Sequence, residues 1–468
     1  MIKEVIKFIA VVLLYVAVAP AMGAYFAKSR RAERIALAIM VSMPSWIPGK
    51  LTLMIDSVEL YRGHTKGFEF SIIVATGIAL TMAAYFRKEP GVKLAPPGLR
   101  FYLLYCAVSS ISIIAAPNKL YVLMAMWKFT TAVLIFMGAF HAFRDAVDLK
   151  WVMRALSITL IVQTLVCLKL RYLEGRWQVH GWFEHQNPMA IWAYLCALPL
   201  LAAAFCRQVS QGDMMLFLLA VGSTALMILL SVSRGGLGAL CIGSVAVTGL
   251  AFLRGPSLRK IGITGMGACA AVAAGMLALD SIMARVEEAG SHEGMEDLRP
   301  VLNRMSKKML HDSPIGIGWN NFGVMNSLPY DRYCQVLMDW DESRGFRIID
   351  ELYFACPLTE SLYWLLLSET GYGGFGTYLF FELLTLWWAF RGLLRFWKTP
   401  LGYFIGGVLV ALVLTYGHGL VERVLSQTKN LSAWLIFAGL MARVQYIRQN
   451  RLPTSFDLPK VKPKQAVA

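Results

Sequence analysis

Apolar residues in this chain fall in long continuous runs, neither alternating nor confined to one helical stripe, and polar residues collect in the short gaps between them. Apolar windows of about 17 to 25 residues recur, which is the length that crosses a bilayer. Hydrocarbon offers no water to an unpaired peptide group, so only helices or a closed barrel can span it. A barrel strand would alternate apolar and polar positions; these runs do not, and helices are predicted. The spans expected are about 6–25, 33–48, 67–86, 101–116, 120–141, 152–170, 188–206, 214–231, 236–253, 261–279, 372–390, 401–417 and 431–447. The segment 33–48 is short and carries Pro44 and Pro48, which leaves the count at twelve or thirteen. The first run, about Ile6 to Tyr25, has the length of a span and no cleavage pattern, so it reads as a retained helix and not as a signal peptide.

One long polar stretch interrupts the pattern between about 280 and 360. The expected organisation is all-α and polytopic: N-terminal transmembrane helices over 1–279, one long extracytoplasmic loop over 280–360, C-terminal helices over 361–450 and a cytoplasmic tail over 451–468. The tail carries Pro453, Pro459 and Pro463 and reads as disordered.

Composition strengthens this picture. Hydrophobic residues make up 57% of the 468, and the mean hydropathy is +0.56, more apolar than one soluble core can use. The net charge of +16 would point to nucleic acid in a soluble protein. Here no soluble domain carries a basic patch, and the cations sit in short loops, where they meet anionic lipid head groups and set orientation. Arg30, Arg31 and Arg34, then Arg87 and Lys88, Arg144 and Lys150, Arg254, Arg259 and Lys260, and Arg391, Arg395 and Lys398 all fall on one side of the predicted topology, the cytoplasmic one. From Ser281 to Thr359 there are eight Lys or Arg against twelve Asp or Glu, in keeping with an extracytoplasmic loop. Six cysteines lie in or beside apolar runs. Cys334 and Cys356 lie in the loop, where an oxidising compartment would allow them to pair. No cluster has metal-ligand spacing.

Ionisable residues inside a span need a partner or a task. Lys128 and Glu382 each lie near the middle of a run: Lys128 reads as a snorkelling or paired lysine or as a cation facing an anionic ligand path, and Glu382 as an interhelical partner in preference to a catalytic group. Arg234, in Ser-Val-Ser-Arg-Gly-Gly236, places a planar guanidinium at a tight junction between two runs, suited either to an interfacial anchor or to phosphate oxygens. The turn from Arg176 to Pro188 holds Trp177 and Trp182 as interfacial anchors, Asn187 as a plausible helix cap with Pro188 in the first turn, and His180 and His185 as possible ligand contacts.

Four elements in chain order carry a resemblance: Gly181-Trp-Phe-Glu-His-Gln-Asn187, Ser233-Arg-Gly-Gly236, Pro314-Ile-Gly-Ile-Gly318 with Asn321-Phe322, and Ser361 through Gly374. Over roughly residues 170 to 440 the chain resembles the O-antigen ligase and polymerase-like membrane proteins. The resemblance implies a glycosyltransferase of the bacterial inner membrane, acting on its outer side. It would pass a glycan from a polyprenyl diphosphate donor to a hydroxyl on a glycan, lipid or protein, with no metal or other cofactor. It also implies that arginines bind the donor diphosphate, with Arg234 and Arg299 the matching positions; from the residues themselves, Arg176 and Arg304 are further candidates for that role, and His185, Asn187, Ser361 and Lys128 are candidates to support the site. The family's proposed general base is a histidine followed by a polar residue, nine residues and then Gly-x-x-Gly/Thr/Tyr. Here the same gap separates Glu360-Ser361 from Gly371-Tyr-Gly-Gly374. Glu360 is the expected replacement, with His311 as a second candidate, and the rival expectation is that ligase chemistry is lost or changed. A polymerase of the same family, a polytopic transporter and a non-catalytic envelope-assembly protein are the alternatives. The absence of internal repeats weighs against the transporter.

Overall fold

The computed structural model describes residues 2–46, 52–58, 61, 63–88, 93–269, 272, 298–325, 333, 358–450 and 456. Most of the 280–360 loop, Cys334 and Cys356, and the tail other than Phe456 lie outside the described residues. In chain order the longer helices are α1 (Glu4–Lys28), α2 (Arg30–Trp46), α3 (Ile72–Arg87), α4 (Leu99–Ile114), α5 (Lys119–Ala142), α6 (Ala146–Leu173), α7 (Gln186–Ala204), α8 (Gln211–Ser231), α9 (Arg234–Phe252), α10 (258–269), α11 (Leu298–Asp312), α12 (Leu362–Arg395), α13 (Pro400–His418) and α14 (Thr428–Gln449). Seven of them, α1, α5 to α9 and α13, are long and apolar enough to cross a membrane.

A helix apolar on every side must be sunk in other helices or face lipid, and both cases occur. In α7, 94% of the apolar window is buried inside the bundle; in α1 only 11% is. The reverse case is α14, which is buried from Asn430 to Ile447 although it carries Arg443 and Gln445. Predicted spans and helices part at several ends. The run expected from residue 67 starts its helix at Ile72, because Phe68–Ser71 pairs antiparallel with Thr52–Ile55 in a two-stranded ladder with Thr52 opposite Ser71. The 372–390 run is the C-terminal part of the longer α12, and 33–48 falls on α2, whose first turn holds the fully buried Glu33.

Glu33 anchors an ionic cluster at one end of the bundle. Its carboxylate meets Arg30 at 2.7 Å, Arg87 at 3.1 Å and Arg144 at 2.6 Å, while Arg34 binds Asp145 and Asp148 at 2.9 Å each. Loops expected on one side thus meet through their charges. Replacing Glu33 with Ala removes the buried carboxylate shared by three guanidiniums, of which Arg30 keeps its pairs with Asp145 and Asp148. Removing one partner of a buried ion pair costs about 3–5 kcal/mol, and thermal unfolding in detergent is expected to show a correspondingly lower midpoint.

The opposite end is positioned by a kink. Gly371, inside α12, adopts φ +66° and ψ −173°. The break leaves the carbonyls of Ser368 and Glu369 without helical donors, and the Pro314–Gly318 turn supplies them: Ile317 N–H donates to Ser368 O at 2.9 Å and Gly318 N–H to Glu369 O at 3.1 Å. In return Tyr372 N–H donates to Pro314 O at 3.1 Å. The fully buried Glu369 carboxylate accepts from the N–H groups of Asn320 and Phe322, both at 2.9 Å, and pairs with His64 Nε2 at 2.6 Å. This docking fixes α11, whose apolar face of Leu302, Met305 and Met309 packs with Ile317, Phe322 and Leu365.

Candidate functional site

Three helices of 19 residues, α7, α9 and α13, are each about 28 Å long, close to one hydrocarbon thickness. The N-termini of α7 and α9 and the C-terminus of α13 meet at one end of the bundle. The cap of α7 is His185 and not Asn187, which lies inside the first turn and donates its N–H to His185 Nδ1 at 3.4 Å; Ser233 caps α9, accepting from Gly236 N–H at 3.3 Å. Ser233 Oγ donates to Asn187 Oδ1 at 3.1 Å, and Asn187 Nδ2 donates to Glu422 Oε1 at 2.5 Å. Arg299, in the first turn of α11, pairs through Nε with Glu360 and stands 3.6 Å from Glu422 Oε1 through its terminal nitrogen. Leu362 N–H donates to Gly419 O at 2.9 Å, which ties the start of α12 to the end of α13 and sets Glu360 beside Glu422.

Five sequence-distant segments therefore converge: 185–187, 233–236, Arg299, 360–361 and 418–422. The two glycines after Arg234 are occupied by packing. Gly236 faces Ala190, and a side-chain carbon on Gly235 would stand 2.9 Å from His418 Nε2. His418 is held by Tyr194, whose hydroxyl lies 3.4 Å from its Nδ1. Arg234 itself is exposed and makes no ion pair or hydrogen bond among the described residues. It is a cation available at the edge of the cluster.

The electrostatics separate the carboxylates. Glu422 is pushed up to about 7, first by burial and then by the neighbouring charge of Glu360, with Arg299 and Asn187 opposing. It therefore takes and gives a proton near neutral pH, as a general base should. Glu360 is half-exposed and held by Arg299. Partial burial lowers the proton affinity of His185 against the pull of Glu360, with His180 adding to the lowering. The arrangement provides a base near neutrality beside two guanidiniums, one tethered and one free.

Other expected site residues fall elsewhere. His311 is twelve residues from Arg299 along α11, about 18 Å away; its side chain is 90% exposed and among the described residues meets Asp312, at 3.5 Å. The structure does not bring it to the cluster. Arg304 is exposed about 140° round the helix from Arg299. Arg176 lies in the turn before α7, 3.2 Å from Glu174 and 3.3 Å from His180 Nε2. Lys128 is buried and donates to His64 O at 2.5 Å and to Glu69 at 3.3 Å, so its charge is spent inside the bundle. Glu382 receives the Tyr363 hydroxyl at 3.1 Å across the kink, a partner from the same helix and not the interhelical one expected. Ser361 caps α12, accepting from Trp364 N–H at 3.4 Å. The nine-residue gap to Gly371 is thus the stretch from a helix cap to a kink.

Sequence reasoning missed Glu422, His418 and Glu369. The signal for the first two was the polar break His418-Gly-Leu-Val-Glu-Arg423 between the last two apolar runs; for Glu369 it was an acid beside the Gly371 run. No group of three His, Cys, Asp or Glu side chains that could hold a metal ion occurs among the described residues. No family model matches the chain, and no curated protein matches it.

Proposed function

We propose that the chain is a polytopic membrane glycosyltransferase that moves a glycan from a polyprenyl diphosphate donor to an acceptor hydroxyl at the outer side of the bacterial inner membrane. The observation that carries this reading is the convergence of Arg299, Glu360, Glu422, Asn187 and the Ser233-Arg234 turn at one end of the bundle. On this reading the cluster faces outward, the end bearing Glu33 and the basic loops faces the cytoplasm, and the shorter or more polar helices α2, α3, α4, α12 and α14 complete twelve or thirteen spans with α10.

In the reaction the acceptor oxygen forms a bond to the anomeric carbon as the bond from that carbon to the diphosphate oxygen breaks. The electron pair leaves with the diphosphate, and the acceptor proton passes to Glu422. Fixed cations at the departing oxygen stabilise developing charge without reorganising; Arg234 and Arg299 fill that role. Glu360 keeps Arg299 aimed until the diphosphate competes for it. Asn187 fixes the Glu422 carboxylate and leaves its second oxygen for the acceptor.

Arg234→Ala is the direct test, because the side chain is exposed and has no hydrogen-bond or ion-pair partner among the described residues. Loss of charge-assisted hydrogen bonds worth about 1.5–3 kcal/mol raises the donor KM by roughly 10- to 100-fold, with thermal stability unchanged. An unaltered donor KM would sink the assignment of Arg234 to the diphosphate. Glycan analysis of a deletion strain separates the two family activities: accumulated lipid-linked polymer without attachment means ligase, and accumulated single units mean polymerase.

A further inference from the structure

At the other ends of α7, α9 and α13 lies a cavity of about 210 Å³. Arg207, Arg254, Lys260 and Lys398 line it, with Gln208 and Ser257 beside them, and none of its lining residues is acidic. Four cations around one cavity repel each other unless something negative sits among them.

Among the described residues the groups that meet these cations are backbone carbonyl oxygens, aromatic ring faces and the Tyr403 side chain. Arg254 is sandwiched between aromatic rings, 3.9 Å from the Tyr403 centroid and 4.6 Å from that of Trp397, and donates one terminal nitrogen to Gly402 O at 3.0 Å. Its Nε is buried without a partner. Lys260 is 3% exposed and donates to Ala251 O at 2.6 Å and Gly255 O at 2.5 Å, which leaves its third N–H. Arg259 donates to Ala204 O and Val209 O at 2.9 Å each, and so straps down the turn that carries Arg207. Arg207 and Lys398 are exposed at the mouth, with no ion pair or hydrogen bond among the described residues. The ring-stacked guanidinium is fixed in direction and the two mouth cations are free to close on a ligand.

We propose that this cavity binds a phosphoryl oxyanion, with Arg254 and Lys260 as the fixed floor and Arg207 and Lys398 as the closing cations. Planar guanidinium and ammonium donors match phosphate oxygens, and basic pockets at helix ends hold lipid head groups. The site is separated by one membrane thickness from the Arg299 cluster and does not depend on the role given to that cluster.

The test uses the full chain, purified and delipidated in detergent. Native mass spectrometry compares phosphatidylglycerol with phosphatidylcholine, and thermal unfolding is followed with inorganic phosphate alone. The variants are the double substitution Arg207→Gln/Lys398→Gln, whose residues have no packing role, and Arg254→Gln. A lipid site predicts preferential retention of phosphatidylglycerol that weakens at least about tenfold in the double variant, whose unliganded unfolding midpoint stays that of the wild type. A soluble-phosphate site predicts stabilisation by inorganic phosphate, lost in the variants, with the two lipids retained alike. Equal retention of both lipids without a phosphate response, or a phosphatidylglycerol preference that persists in the variants, overturns the proposal.

Discussion

Changing Glu422 to Gln is expected to lower glycan transfer by about 10²- to 10⁴-fold, the range contributed by a positioned general base, while the donor still binds. The amide keeps the carbonyl oxygen that accepts from Asn187 and removes only the capacity to take a proton. In the wild type the transfer rate should rise with pH through about 7, because Glu422 must be deprotonated to act and its carboxyl is pushed up to about 7. Glu360 then becomes the informative comparison. Its charge is one cause of the elevated Glu422 value, so Glu360→Gln removes that push and the acid limb of the pH profile should move to lower pH with activity retained. If Glu360 were itself the base, the same variant would lose activity at every pH. A Glu422→Gln enzyme with wild-type turnover would remove Glu422 from the chemistry.

That choice of base illustrates how far the chain can be read before it is folded. The bundle was legible because bilayer length and continuous apolarity are local properties, and helices stand at all the predicted runs among the described residues. The exceptions have causes outside their runs: pairing of Phe68–Ser71 with Thr52–Ile55 delays one helix to Ile72, and α2 carries the buried Glu33, whose partners Arg87 and Arg144 come from other loops. Arg299, Asn187 and the Ser233 turn were legible as polar residues in unusual places, and they do meet. Glu422 was not singled out, because its meaning depends on Arg299 and Asn187, which lie 123 and 235 positions away. Burial raises its affinity for a proton, and burial at a meeting of distant segments leaves no mark on neighbouring residues. Lys128 shows the same limit from the other side: a cation in mid-span left a paired lysine and a ligand path both open, and only the fold shows that its partners come from the 64–69 segment.

The Gly371 kink carries the second large expectation. Gly371→Ala should abolish the folded, monodisperse species in detergent, or lower its unfolding midpoint far more than an ordinary helix substitution does. The backbone there lies in a region open almost only to glycine, at a cost of about 1–3 kcal/mol for any other residue. An added side-chain carbon would also stand 2.3 Å from Pro314 O and 2.4 Å from the Ile315 carbonyl carbon, both backbone atoms that cannot swing aside. Relieving that contact means withdrawing the Pro314–Gly318 turn, which breaks its three backbone hydrogen bonds to the kink and unseats Asn320 and Phe322 from Glu369. Since α11 is held by the same turn, Arg299 loses its place beside Glu422 and activity falls with stability. Gly376, five residues on in the same helix, meets nothing within 4 Å. There alanine should be neutral or stabilising by up to about 1 kcal/mol, as helix propensity dictates. Circular dichroism melts of the two variants side by side decide the matter: equal midpoints would mean that the turn and the kink do not depend on each other.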